Sequence, residues 1–287
     1  MLRERILTAL VLAPLVLCSI LFLPMIGFEI AMIGVLGLGA WEWANMSGFV
    51  TRQTKAVYTF IIVAICGYFT FAIDVENIWY QGQLNSLYHY ILGTAALWWF
   101  ISLLMIIAYP RFSSFWRTRR GIQGLFGLLT LIPTWVAIVS LRTSLYDVDS
   151  FYGASLIFYV LGIVWAADIG AFFVGVKFGR TKLRPKVSPG KTFEGLMGGV
   201  GASSLIIAFA ALHYAVDPSR IWINILIGGL TVAVSALGDL NESMLKRCAG
   251  IKDSGNLLPG HGGILDRIDS LTAAFPVFAF CYVSWMA

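Results

Sequence analysis

Long apolar runs separated by short polar stretches repeat along the whole chain. A helix crossing about 30 Å of hydrocarbon takes about 20 apolar residues at 1.5 Å rise each. Nine segments meet that length: Ile6 to Leu23, Phe28 to Met46, Ala56 to Ile73, Tyr90 to Ala108, Ile122 to Leu141, Tyr152 to Val176, Leu196 to Ala215, Trp222 to Met244 and Asp266 to Ala287. Barrel strands would run about 10 residues with alternating polarity, and runs such as IIVAICGYFTFAI do not alternate. The expected fold is therefore all-α, a polytopic membrane protein of about nine transmembrane helices forming one integral membrane unit. The spans account for most of the 287 residues, so any site must be built from helix ends and short loops. The first span follows Arg3 and Arg5 like a signal peptide, but no convincing cleavage site follows it, and it reads as retained.

Composition agrees with this pattern. The chain is 59% hydrophobic and 12% charged, with a mean hydropathy of +0.81. A soluble domain has about a quarter of its residues charged. Basic residues fall in alternate loops, as the positive-inside rule requires. With the N-terminus placed in the cytoplasm, eighteen of the twenty Lys and Arg residues lie inside, and only Arg142 and Arg220 lie outside. The expected location is the cell inner membrane, with the chemistry facing the cytoplasm. The net charge of +5 then anchors the inner surface and attracts anions there; no nucleic-acid partner is expected. The four cysteines have neither metal nor redox spacing.

The acids divide the spans. Residues 1–150, with five helices, hold Glu29 and Glu42 as their only span acids and read mainly as scaffold. Residues 151–287, with four helices, hold or adjoin Asp168, Glu194, Asp239, Glu242, Asp266 and Asp269 and read as the catalytic half. An ionised carboxylate inside a membrane is a functional hypothesis by default. Asp168 and Asp239 precede Lys177 and Lys246 by roughly 13 and 10 Å of helix, so the carboxylates gather towards the inner surface. Asp239 with Glu242, and Asp266 with Asp269, share helix faces at i, i+3. Paired carboxylates near phosphates suit Mg²⁺, which often binds one or two of them and keeps several waters. The bland alternative is that each acid pairs with a neighbouring Lys or Arg.

Two polar stretches could bind anions. From Lys177 to Glu194 the chain reads KFGRTKLRPKVSPGKTFE. Its GKT ending lacks the first glycine of a P-loop, because position 185 is proline. What remains is Ser188, Lys191 and Thr192 at a helix N-terminus, where free amides favour phosphate. The second stretch, the 27 residues from Ser243 to Asp269, contains four basic residues, three aspartates and a histidine. Its glycines at 260, 262 and 263 would let backbone amides approach a phosphate beside His261. An ordinary basic inner loop and a flexible turn are the competing readings. His89 and His213 lie at outer span ends and read as interfacial.

Ser243, Lys246-Arg247, Lys252-Asp253, Gly255, Pro259, His261-Gly262-Gly263, Asp266-Arg267 and Asp269 together resemble the signature of the phosphatidate cytidylyltransferase family, and Ser188 to Gly195 resembles its bacterial members. The resemblance implies that CTP and phosphatidate give CDP-diacylglycerol and pyrophosphate with Mg²⁺, a second metal ion, monovalent or divalent, being an open expectation. It places the metal on Asp239 and Asp266, with Asp269 as a third candidate. Asp239, Asp266, Lys191 and Arg267 become the expected catalytic residues. Ser188, Lys191, Thr192, Lys246, Arg247, Lys252, His261, Gly262 and Gly263 become the expected substrate contacts. A second copy of the chain is a candidate partner. An ion-coupled transporter would need its acids near the midplane among paired repeats, which the chain lacks; a CTP-using lipid kinase would release CDP instead of pyrophosphate.

Overall fold

The computed structural model describes residues 2–214 and 216–286; side chains of residues 2–7 and 9, including Arg3 and Arg5, lie outside the description, as do Met1, Ala215 and Ala287. The helices are α1 (Leu2–Phe22), α2 (Met25–Met46), α3 (Arg52–Ala72), α4 (Ser86–Ala108), a short α5 (Ser114–Arg117), α6 (Arg120–Arg142), α7 (Tyr152–Phe178), α8 (Phe193–His213), α9 (Ile221–Ala249) and α10 (Leu265–Trp285). Eight of the nine expected spans are long and apolar enough to cross a membrane; in α1 the described apolar stretch is the shorter Leu10–Phe22. Two small hairpins interrupt the helical pattern, β1 (Trp79–Tyr80) with β2 (Gln83–Leu84), and β3 (Lys182–Arg184) with β4 (Ser188–Thr192).

Local chemistry sets the helix ends. Thr51 caps α3 by accepting from the Thr54 amide at 3.1 Å, and Asn85 caps α4 through Leu87. At the end of α9, Gly250 takes the left-handed conformation, φ +73°, that a glycine reaches without steric cost. Pro276 lies inside α10 and has no N–H, which frees the carbonyl of Thr272 one turn earlier. The Thr134 hydroxyl on α6 donates to that carbonyl at 3.1 Å, so the break is satisfied by a neighbouring helix.

Packing in lipid rests on close approach and buried hydrogen bonds, since lipid tails are as apolar as the side chains they would replace. Gly195 and Gly199, four residues apart on α8, face α7. A Cβ on Gly199 would come 2.7 Å from the Ala167 carbonyl oxygen, and one on Gly195 3.0 Å from that of Ala171. In the first half, Trp43 donates to the Gln123 carbonyl at 2.8 Å and Trp98 to the Thr130 hydroxyl at 3.0 Å. Phe69, Tyr88 and Trp135 stack into one buried cluster. Large apolar side chains such as Phe71, Leu205 and Leu212 are at least 74% exposed and form the lipid-facing surface.

The two ends of the bundle differ in chemistry. At one end Arg142, only 3% exposed, donates to the carbonyls of Ile20 and Ser150 and lies over the Tyr146 ring. That use explains why this arginine departs from the charge pattern of the loops. Ser144, Tyr152 and Tyr282 complete a buried hydroxyl network there. The opposite end carries the β3–β4 hairpin and the 250–264 segment, and Thr8 near the start of α1 donates to the Pro259 carbonyl at 3.0 Å.

Candidate active site

After α7 ends at Phe178, Lys182 to Thr192 folds as a hairpin, which corrects the expectation of a loop leading into a helix N-terminus. Ser188 and Lys191 are strand residues, with Arg184 opposite Ser188 and Lys182 opposite Thr192. Thr192 alone takes the helix-start role, capping α8 by accepting from the Gly195 amide at 3.1 Å. Glu194 clamps the base of the hairpin by accepting from the Arg180 and Thr181 amides, each at 3.1 Å. The tip is tied to α9 where Arg247 donates to the Val187 carbonyl at 3.4 Å.

Lys191 projects from β4 towards α9 and pairs with Asp239 at 2.6 Å, both side chains about a third exposed or less. Ser243, one turn on, donates to the other Asp239 oxygen at 3.2 Å. The pair lies on the wall of a cavity of about 460 Å³ between α7, α8, α9 and the hairpin. Asp168 and Thr192 add polar groups, while Phe172, Val176 and Leu183 form an apolar side. Asp168 feels both Asp239 and Lys191 electrostatically.

A second charged cluster adjoins the first. Lys246 lies between Glu242, at 3.1 Å, and Asp266, at 2.6 Å, with all three side chains at most 12% exposed. Asp269 links the clusters, interacting with Asp239, Lys191 and Lys246. The contact between α9 and α10 that permits this is Gly238, whose missing Cβ leaves room for the Asp269 carbonyl oxygen. Two lysines thus stand among five carboxylates: Asp168, Asp239, Glu242, Asp266 and Asp269.

One amide of the glycine turn serves a carboxylate of the chain itself. Gly263 donates to Asp266 at 2.9 Å, and Ser254 donates its amide to the same oxygen at 2.9 Å. Gly262 has φ +83°, and a Cβ on it would meet that oxygen at 2.8 Å. With its other oxygen on Lys246, Asp266 is engaged on both sides by the protein. It anchors the loop in this structure, and its three donors leave the carboxylate part of its acceptor capacity. Asp239 and Asp269, on neighbouring helices, feel each other's charge, and Asp269 accepts from the Ser270 amide at 2.7 Å. Among the described residues no three His, Cys, Asp or Glu side chains gather closely enough to hold a metal unaided.

Of the expected residues, Lys191, Thr192 and Asp239 line the cavity. Asp269, Lys246 and Asp266 form its charged flank. Lys252 is exposed, and Arg267, also exposed, donates to the His261 carbonyl at 3.0 Å and braces the turn. Ser188, Arg247, Lys252, His261, Gly262, Gly263 and Arg267 do not line the cavity. Sequence reasoning missed Glu42 on α2, which accepts from Ser254 Oγ at 2.9 Å and from the Ile264 and Leu265 amides at 3.0 and 2.9 Å. Its one signal was a carboxylate in an apolar span; nothing local pointed to partners more than 200 residues away. Asp168 was noticed as an intramembrane acid but left out of the expected site, and it lines the cavity with Asp239.

Comparison with known proteins gives the family. Residues 3–285 match the model of the cytidylyltransferase family. The chain is 40% identical to the phosphatidate cytidylyltransferase of Haemophilus influenzae over 98% of its length and 99% of that protein. It is 41% identical to the phosphatidate cytidylyltransferase of Pseudomonas aeruginosa over 97% of its length and 96% of that protein. A phosphatidate cytidylyltransferase of Bacillus subtilis is 43% identical over 45% of this chain and 48% of its own length. A family match over nearly the whole chain, relatives of equal extent and a charged cavity at one end of a helical membrane bundle lead to one conclusion: the chain belongs to the cytidylyltransferase family and is a nucleotidyltransferase enzyme.

Proposed function

We propose that this enzyme transfers the cytidylyl group of CTP to phosphatidate, giving CDP-diacylglycerol and pyrophosphate. The observation that carries the reading is the Lys191–Asp239 pair on the wall of a cavity with one polar and one apolar side. A volume of about 460 Å³ suits a small-molecule site, and the mixed wall suits a lipid phosphate meeting a nucleotide. The likeness to bacterial phosphatidate cytidylyltransferases supports the same substrates.

In the proposed reaction a phosphate oxygen of phosphatidate attacks the α-phosphorus of CTP. The new O–P bond forms as the bond from the α-phosphorus to its bridging oxygen breaks, and pyrophosphate leaves with that electron pair. The second pKa of a phosphate monoester is about 6, so the nucleophile is already anionic and needs no strong base. The obstacle is the meeting of two anions, and positioning with charge neutralisation supplies most of the catalysis in such transfers. Lys191 can exchange Asp239 for a phosphate oxygen within the cavity. Lys246, Arg247, Lys252 and Arg267 add positive potential at the approach, and Ser188, Thr192 and the 261–263 turn shape its polar rim.

The donor set fits Mg²⁺: Asp239 on α9 and Asp269 on α10 lie within electrostatic range of one another, and that ion often takes one or two carboxylates, with phosphates and waters completing its shell. When bound, it would neutralise charge on the attacking and leaving oxygens. In this reading Asp266 holds the loop and Lys246 in place beside that pair.

Purified protein given CTP, phosphatidate and Mg²⁺ is expected to release pyrophosphate in step with CDP-lipid, and a chelator is expected to stop it. Release of CDP, or no pyrophosphate at all, overturns the proposal. The orientation follows from the charge asymmetry: the site faces the cytoplasm of the inner membrane. A reporter fused after Trp285 is therefore expected on the outer side, and cytoplasmic activity of that fusion would reverse the orientation.

A further inference from the structure

Glu42 stands on α2, in the half of the chain that reads as scaffold, yet it is 5% exposed and its carboxylate is hydrogen-bonded to the 254–265 segment. One oxygen accepts from the Ile264 amide; the other accepts from the Leu265 amide and the Ser254 hydroxyl. The two amides open α10, where the first turn of a helix has no internal partners for its N–H groups. Glu42 supplies those partners from another helix. The approach is close, because a Cβ on Gly255 or Gly263 would run into its carboxylate.

The same short stretch is held from its other side by Asp266, which accepts from the Ser254 and Gly263 amides. Ser254 therefore bridges two carboxylates, donating its hydroxyl to Glu42 and its amide to Asp266. Asp266 in turn fixes Lys246, and the first turn of α10 leads to Asp269 beside Asp239.

We propose that Glu42 is a positioning residue for the transfer reaction, setting through the start of α10 where Asp266, Lys246 and Asp269 stand against Asp239. The proposal rests on the cytidylyltransfer reading of the site. It requires a carboxylate at position 42, because every partner donates. A glutamine would turn its NH₂ towards either the Ile264 or the Leu265 amide, leaving one backbone donor without an acceptor whichever way the side chain is flipped. Small misplacements of a reacting constellation cost about 10²-fold at the extreme, so a single mismatched donor is expected to show in turnover.

Glu42→Gln tests this in the full-length protein in detergent or vesicles. The expected result is a kcat per folded molecule about tenfold lower, with KM for CTP within about twofold of wild type and an unfolding temperature lowered only by the one unpaired amide. Amide hydrogen exchange is expected to quicken in peptides covering 254–265 and to stay unchanged elsewhere. A structural role alone would lower the unfolding temperature and the amount of active protein while leaving kcat per folded molecule intact, and that result overturns the proposal, as does wild-type kcat. If Glu42→Gln fails to accumulate, Ser254→Ala removes one donor and keeps the carboxylate. It is expected to lower kcat about threefold at unchanged KM, and unchanged kcat overturns the proposal. An inactive wild-type enzyme refutes the cytidylyltransfer reading itself, whereas an active wild type with unaltered variants refutes the positioning role alone.

Discussion

Asp239→Asn is expected to lower pyrophosphate release from CTP and phosphatidate by about 10²–10³-fold, the scale seen when one preorganised electrostatic group is removed from an active site. Asparagine keeps the size of the side chain and can still accept from Ser243. It cannot neutralise Lys191, 2.6 Å away, and it halves the adjoining carboxylate pair with Asp269. The variant is expected to insert and fold, since the Lys191–Asp239 pair is about 30% exposed on both sides and exposed pairs contribute little to stability. The measurement is the initial rate across a Mg²⁺ titration in matched amounts of folded protein. Near-normal turnover at any Mg²⁺ concentration would remove Asp239 from the catalytic and metal-binding groups.

Lys246→Met is expected to have the largest effect on stability. Lys246 is the cation between Glu242 and Asp266, and both carboxylates are more than nine-tenths buried. Removing one partner of a buried ion pair costs about 3–5 kcal/mol, because the charge left behind has no compensation. Here two carboxylates are left, and Asp266 also loses the contact that fixes its first oxygen. Activity is expected to vanish with the loss of folded protein. The combination with Glu242→Gln removes one of the uncompensated charges and is expected to recover part of the lost stability. Thermal unfolding in detergent decides the matter, and a single variant melting at the wild-type temperature would show that Lys246 does not hold the cluster together.

The helices were legible because a membrane span announces itself by length and polarity alone, without a partner helix to read against. Loop charges were legible for the same reason, and the departure of Arg142 had its cause in buried carbonyls that only the folded chain brings near it. The hairpin was not legible. Pro185, Pro189 and Gly190 are turn formers, and pairing of β3 with β4 is supported by Glu194 at the end of the stretch and by a contact with α9 that lies outside it. The glycine turn showed that its amides were available to an anion, but not which one, and Asp266 takes the Gly263 amide. Asp266 and Asp269 share a face by spacing, yet one turns to the loop and Lys246 while the other turns to Asp239. Glu42 was recognisable as unusual, and its partners were not, because single-chain spacing carries no information about a helix more than 200 residues distant.

The buried hydroxyl and arginine network at the end of the bundle away from the hairpin has a bearing on the membrane as an insulator. The cavity lining reaches no further along the helices than Ala167 on α7, Gly199 on α8 and Val232 on α9. Beyond it the interior is filled by side chains such as Val160, Ile163 and Ile227, each at most 2% exposed, and then by the closed network of Ser144, Tyr152 and Tyr282. A bundle that opened at both ends, with five acidic groups and two lysines inside, would offer protons and cations a route across the bilayer. Among the described residues, the buried side chains between the cavity and that network interrupt such a route, so charged groups gathered at one end of the bundle need not make it leaky to ions.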